Sequence, residues 1–448
     1  MFSSTRSADS RWRTVSAGAA VFPYSFVVPN SSRFFGWRIV ALGVIANALG
    51  TGLIGVYGFM VTPLIEEFGA TPAQLGLGMS ITIVSMALVA PLLGPIFDRG
   101  PLRGTMLIGV GLMFSAVFLL SRAIALWQLG ACLAFAAVGV SMFGMFPAKV
   151  LIVNWFVRKR GRALAIALTG TSLAALVGPP VTAWLIELAT WRGAIVWIAG
   201  GGALIAVPAI LAFAIRRPED IGERPDGDAS SEPLSRNESL LPETANGSFT
   251  REPNFWLIGV GDALAMCVPV AWAVFFVRHL EEVGIARTDI ALVMPLGAAF
   301  SLLGKLTVGF LADRLDPRML ALATLSLHVS GIWIVALGDG IGSMILGIIP
   351  LGLGGGGFIP LPSIFQGRCF GRMVIGQVSG FHSLIGLPFM LASAPLTGFV
   401  ASATGSFVTP FLVLGVVQIL GMMAFALVRV PSQARIVFPP ARVSGESS

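Results

Sequence analysis

The chain has 448 residues, of which 55% are hydrophobic and only 11% charged, and it carries a formal charge of +7. A soluble domain carries roughly 25% charged residues, so these side chains cannot coat a water-soluble body of this size, and lipid must cover much of it. The positive balance does not indicate nucleic acid, because the basic residues stand in short segments between long apolar stretches, and Cys132, Cys267 and Cys369 are too widely separated for a disulfide framework or metal site and read as packing residues.

Residues 1–34 read as a cytoplasmic N-terminal tail. They hold Arg6, Arg11 and Arg13 and an apolar run from Ala19 to Val28 that Pro23 interrupts. That run is too short for a span of about 20 residues, and a cleaved leader is the rival reading. Membrane-length apolar stretches then fall at 39–62, 73–96, 104–121, 126–147, 163–186 and 194–215, and after a polar segment at 254–277, 290–311, 319–337, 341–363, 373–397 and 407–429. In lipid each backbone amide must be paired within its own segment, so these are helices. The expected fold is an all-α polytopic membrane protein, with twelve transmembrane helices in two pseudo-symmetric six-helix bundles, residues 35–215 and 254–430. Residues 216–253, with Glu219, Asp220, Glu223, Asp226, Asp228, Glu232, Glu238 and Glu243, read as a flexible cytoplasmic linker. Residues 431–448 read as a cytoplasmic tail.

Charge sets the orientation. With a cytoplasmic N-terminus, 23 basic residues fall on the cytoplasmic side, Arg33, Arg236, Arg435 and Arg442 among them, and only Arg122, Arg192, Arg278 and Arg287 on the other. Such a bias places both termini in the cytoplasm, and the expected location is a bacterial cytoplasmic (inner) membrane.

The loop after the second span reads Gly94, Asp98, Arg99 and Arg103, and the loop after the eighth reads Gly309, Asp313, Arg314 and Arg318, at the same offsets and 215 residues on. Recurrence at the same topological position indicates duplicated halves. The glycines permit close helix approach. Asp and the two Arg can make charge-assisted contacts to a neighbouring helix end, a latch that holds one face closed.

This repeated loop resembles the signature of the major facilitator superfamily, and the resemblance covers roughly residues 35–430. Further features are similar to its monocarboxylate-porter and oxalate/formate-antiporter branch: Gly36-Trp37-Arg38, Tyr57-Gly58 with Glu66-Glu67-Phe68-Gly69, Trp155-Phe156 before Arg158-Lys159-Arg160-Gly161-Arg162, Gly170 with Gly178-Pro179, Trp191-Arg192, the glycines from 352 to 357, and Phe370-Gly371-Arg372. The resemblance implies alternating access around a substrate held between the halves, a small carboxylate moved with a proton or exchanged for another anion.

Ionisable groups inside spans tend to mark transport pathways. Lys305 in the eighth span and Asp262 in the seventh stand at similar depth. Lys305 is expected to attract the anion, with Asp262 as its counter-ion or proton carrier; a permanent ion pair, or two residues facing different crevices, is the alternative. Lys305 matches the position where the monocarboxylate porters carry an arginine, but Ser301 stands where their nearby acid would be, and Val56 and Tyr57 stand where they place a buried lysine. His382 is either a carboxylate ligand or proton relay, or a neutral imidazole bridging two helices. Tyr57 offers a phenolic donor to a carboxylate, or packs as an aromatic. Asn47 reads as a helix-to-helix bond, His328 as packing, and Lys149 as a snorkelling residue near a helix end. Gly170, Gly178 and Pro179 suggest tight packing and a bend. The glycine run at 352–357 has neither the strand nor the lysine of a nucleotide loop, and reads as a flexible or closely packed part of the tenth span.

The expected function is secondary active transport of a small organic anion, a mono- or dicarboxylate, with a proton or counter-anion as the coupled partner and a monomer as the working unit. The alternative is export of larger amphipathic compounds, for which 31 Phe and 16 Met could build a pocket. A receptor or scaffold is disfavoured because the linker lacks a domain-sized apolar core. No nucleophile-base set or metal-ligand cluster suggests an enzyme or a cofactor.

Overall fold

Long apolar runs should form helices, and the computed structural model shows them in residues 34–70, 72–227 and 248–430, which with 12–16 and 25–29 are the residues the structure describes. The helices are α1 Gly36–Phe68, α2 Pro72–Arg99, α3 Leu102–Leu120, α4 Leu126–Phe143, α5 Met145–Trp155, α6 Arg160–Phe213, α7 Pro253–Glu282, α8 Arg287–Ala312, α9 Pro317–Leu337, α10 Ile341–Phe358, α11 Leu361–Phe370, α12 Ile375–Thr404 and α13 Val408–Leu427. Eleven stretches of the described residues are long and apolar enough to cross a membrane. Helix α1, uncharged between Arg38 and Glu66, supplies a twelfth. Arg6, Arg11, Arg33, Arg236, Arg435, Arg442, Asp228, Glu232, Glu238, Glu243 and the tail at 431–448 lie outside the described residues.

The surface is inverted relative to a soluble protein. Leu92 is 69% exposed and Leu204 77%, whereas Asn47, Asp98, Lys305, His382 and Gln418 are each 4% exposed or less. Such a polypeptide satisfies its polar groups internally and leaves its apolar face to lipid.

Twelve crossings come from thirteen helices because one helix covers two crossings and two crossings are each built of two helices. Helix α6 covers two crossings and turns at Ala189–Thr190, where Thr190 takes a φ of 59°. The turn is clamped by residues that follow it: Arg192 donates to the carbonyls of Ser121 at 2.7 Å and Ala123 at 2.8 Å and pairs with Glu67 at 2.5 Å, while the Trp191 indole donates to Glu67 at 2.9 Å. The fourth crossing breaks at Gly144 into α4 and α5, and the tenth breaks at Ile359–Pro360 into α10 and α11. The two broken crossings occupy equivalent places in the two halves.

Several boundaries differ from the sequence expectation. The fourth crossing runs on to Trp155 and the tenth to Phe370, past the expected ends at 147 and 363, because Pro147 and Pro362 sit in the first turns of new helices, where a missing N–H costs nothing. The N-terminal segment is not wholly irregular: Trp12–Ser16 (β1) pairs antiparallel with Ser25–Pro29 (β2), Trp12 opposite Pro29 and Ser16 opposite Ser25, as suits their β-branched and aromatic residues. The linker, expected to be flexible, begins as a docked strap. Asp226 accepts the amides of Val157, Arg158 and Lys159 at 2.7 to 3.2 Å, and Glu223 accepts that of Phe35 at 3.0 Å. An acidic segment is held here because unpaired amides gather at the start of α6.

Candidate functional site

The repeated loops act on helix ends. Asp98, at the end of α2 in the first half, accepts the amides of Gly376 at 2.8 Å and Gln377 at 2.9 Å, in the first turn of α12 in the second half. Asp313, just past α8 in the second half, accepts those of Gly161 at 2.7 Å and Arg162 at 3.3 Å, in the first turn of α6 in the first half. Each half therefore caps a helix of the other, placing a carboxylate where unpaired amides and the helix dipole favour negative charge. Burial raises the Asp313 carboxyl above its ordinary value, and the two amides oppose that rise.

Glycines make the approach possible. A Cβ on Gly94 would come within 2.8 Å of the Gln377 backbone, and one on Gly309 within 2.9 Å of the Gly161 carbonyl. The arginines of the repeat do not all share this work. Arg318 folds back onto Asp316 at 2.6 Å, a partner two residues away, instead of reaching a neighbouring helix. The carbonyl of Ala312 is met by Arg368 at 2.5 Å and that of Gly100 by Arg216 at 3.4 Å. Glu219 of the strap pairs with Arg372 at 2.9 Å. Together these contacts close one end of the molecule, here termed the basic face.

Beyond that closure lies a cavity of about 890 Å³ between the halves. Its polar floor is a chain of hydrogen bonds. Lys149, on α5, donates to Gln366 Oε1 on α11. Ser379 donates to the same oxygen at 2.9 Å, and Gln366 Nε2 lies 2.7 Å from His382 Nδ1 on α12. With the Gln366 oxygen committed to Lys149, its amide nitrogen donates to Nδ1, which assigns the imidazole proton to Nε2. Gly259 leaves room for the ring, since a Cβ there would lie 3.0 Å from His382 Cδ2. Asp262, on α7, lines the same cavity, its Oδ1 buried without a hydrogen-bond partner, and Lys149 is the cation that acts on it. Lys149 belongs to the first half and Asp262, Gln366 and His382 to the second.

Sequence reasoning set Asp262 against Lys305, and the structure separates them. Lys305 is buried on α8 and donates to Thr171 Oγ1 and Ser172 Oγ of α6, each at 2.8 Å, so it too joins the halves, and it does not line the cavity. Tyr57 is absent from the cavity as well. It lines a separate void of about 50 Å³ inside the first half, with Met60, Thr82 and Leu133. Lys149 is not a snorkelling residue: α5 continues for six residues after it, about 9 Å of helix. Asn47 bonds within its own helix, to the Gly43 carbonyl at 2.8 Å, and lines the cavity. His328 also lines it while pairing with Gln418 at 2.7 Å. A Cβ on Gly178 would meet nothing within 4 Å, so tight packing falls to Gly170, against Ala48 of α1. The glycine run of α10 is a packing surface, with Gly352 against Phe300 of α8 and Gly357 against Thr324 of α9.

Gln366 was missed because a neutral amide raises no flag in a sequence. A usable signal was its register: Lys149 and Gln366 are 217 residues apart, close to the 215 that separates the repeated aspartates.

Twelve membrane crossings in two halves, with a polar-floored cavity where they meet and one end closed by reciprocal caps, define a membrane transporter. The chain belongs to the Major Facilitator Superfamily, whose sequence profile matches residues 40–278. Among known proteins it is similar to monocarboxylate transporter 11 of Mus musculus, 26% identical across 85% of this chain and 84% of that protein, and to monocarboxylate transporter 13 of Bos taurus, 24% identical across 86% and 88%. Its fold matches that of the proton:xylose symporter XylE, with a TM-score of 0.71 and 12% identity over 88% of this chain and 96% of that one. The human organic anion transporter MFSD10 matches with a TM-score of 0.65 and 16% identity over 87% and 99%.

Proposed function

We propose that the protein carries an organic anion, a carboxylate, by alternating access across a bacterial cytoplasmic membrane, with the basic face toward the cytoplasm. The observation that carries this reading is the confrontation of Lys149 and Asp262 across the boundary between the halves, inside the cavity. The monocarboxylate transporters to which the chain is similar give it independent support.

Lys149 supplies the fixed positive charge, with the Gln366 amide and the His382 imidazole beside it as further donors. While Asp262 is ionised it neutralises Lys149 and the site has little to offer an anion. A proton on Asp262 frees the ammonium for a carboxylate, so proton and substrate bind together. Lys305, Asp98 and Asp313 serve closure: their bonds between the halves form when the basic face shuts and break when the halves rock.

Uptake of a labelled carboxylate into proteoliposomes tests this. An inward proton gradient accelerates uptake by the natural protein. Lys149→Gln abolishes uptake, while Asp262→Asn retains exchange against internal carboxylate and loses acceleration by the gradient. Unimpaired, gradient-driven uptake by Lys149→Gln would overturn the assignment.

A further inference from the structure

Along α7, α8 and α12, the described residues that line the cavity farther from the basic face than Asp262, Ser301 and Ser383 are all apolar. Met266, Trp272, Phe276, Met294 and Met390 form this wall. Trp272 stacks on Phe276, ring centroids 4.4 Å apart and planes 27° from parallel, and leans on Phe411 at 5.2 Å, so its indole is held from two sides. Pro269, inside α7, interrupts the hydrogen-bond ladder one turn before it. Across the cavity, Met86 and Met145 extend the apolar surface onto the first half.

A rigid aromatic pair ringed by methionines suits a flat apolar group of variable outline, since thioethers are polarisable and adapt their rotamers. The volume agrees. About 890 Å³ lies within the range of roughly 300–1,000 Å³ that encloses a drug-sized molecule, and an acid of two or three carbons would meet Lys149 and leave the aromatic wall in water. We infer that the transported anion is amphipathic, its carboxylate at Lys149 and an aryl or branched alkyl body against Trp272, Phe276 and the methionines. This rests on the carboxylate reading above and adds the specificity-determining wall.

A matched series in proteoliposomes separates the two claims: lactate, 3-phenyllactate, and the uncharged amide of 3-phenyllactate. With burial of a phenyl ring on the wall, 3-phenyllactate half-saturates uptake at a concentration about tenfold or more below that of lactate, and the amide is not carried. Trp272→Ala raises the half-saturating concentration of 3-phenyllactate about tenfold or more, to that of lactate. Lys149→Gln stops both acids. Lactate carried as well as or better than 3-phenyllactate by the natural protein overturns the inference and leaves the carboxylate reading standing. Uptake of the amide at the rate of its acid, or failure of both acids, overturns both. The comparison in the natural protein decides even where Trp272→Ala does not fold, and Met390→Ala then probes the same wall.

Discussion

At the scale of single residues, the same chemistry serves different ends according to where the helix axis places it. Two lysines lie within the bundle. Lys149 meets the Gln366 amide on the cavity floor, and Lys305 meets two hydroxyls in the seam between α8 and α6. Charge patterning in the sequence marked Lys305 as a costly intramembrane cation but read Lys149 as snorkelling, because the end of the fourth crossing was drawn at 147 and not at Trp155. Glu67 shows an acid of a third kind. The hydrogen bond from Arg192 holds its carboxyl below the ordinary carboxylate range. A depressed folded value means that the pair stabilises the protein above the unfolded value near about 4.3 and ceases to do so as pH falls through the folded one. Glu67→Gln therefore lowers the thermal midpoint of detergent-solubilised protein at neutral pH by a small amount, since the pair is half exposed. The difference closes on acidification below pH ~4, which a pH series of unfolding curves will show.

Elements carry the next layer of information, and much of it was legible. Span length, the repeated Gly-Asp-Arg-Arg pattern and the single acidic interruption at 216–253 are patterns of composition, and they define the halves. What composition does not disclose is which helix faces which. Helix α2 lies on α12 and α8 on α6 because glycines admit backbone to backbone, and nothing in the glycine content says where. Gly178 looked like Gly170 in sequence and differs from it in space. The two make a direct test of packing. Gly309→Val forces its Cβ against α6 and destabilises by about 1–3 kcal/mol. Gly178→Ala meets open space and is neutral or stabilising by about 0.5 kcal/mol. Thermal unfolding of the two variants in one detergent measures the contrast. Broken helices were equally hidden: Pro147 and Pro362 stand at or beside the expected ends of spans, whereas each opens a short helix that delivers a cavity residue.

Over the whole molecule, the contacts between halves described above lie toward the basic face, so the structure is closed at that end. Its closure is held by two carboxylates at equivalent places, each taking two amides of the opposite half. Hydrogen bonds to a charged group contribute roughly 1.5–3 kcal/mol, enough for a pair of them to set which face is shut. Asp98→Asn with Asp313→Asn shifts the population toward an opened basic face. Spin labels at Ile96→Cys and Met373→Cys, both exposed positions, will report a longer and broader distance distribution in the double variant.

The strap that leaves α6 bears on how the polypeptide could be divided. Its described anchors, Glu219, Glu223 and Asp226, all precede residue 228. A protease site introduced between 228 and 247 should therefore yield two fragments that stay associated and remain active, the first retaining its own seal over the start of α6. Severing at Arg217 instead would detach Asp226 from three amides, and a nicked product made there should lose cohesion on a sizing column.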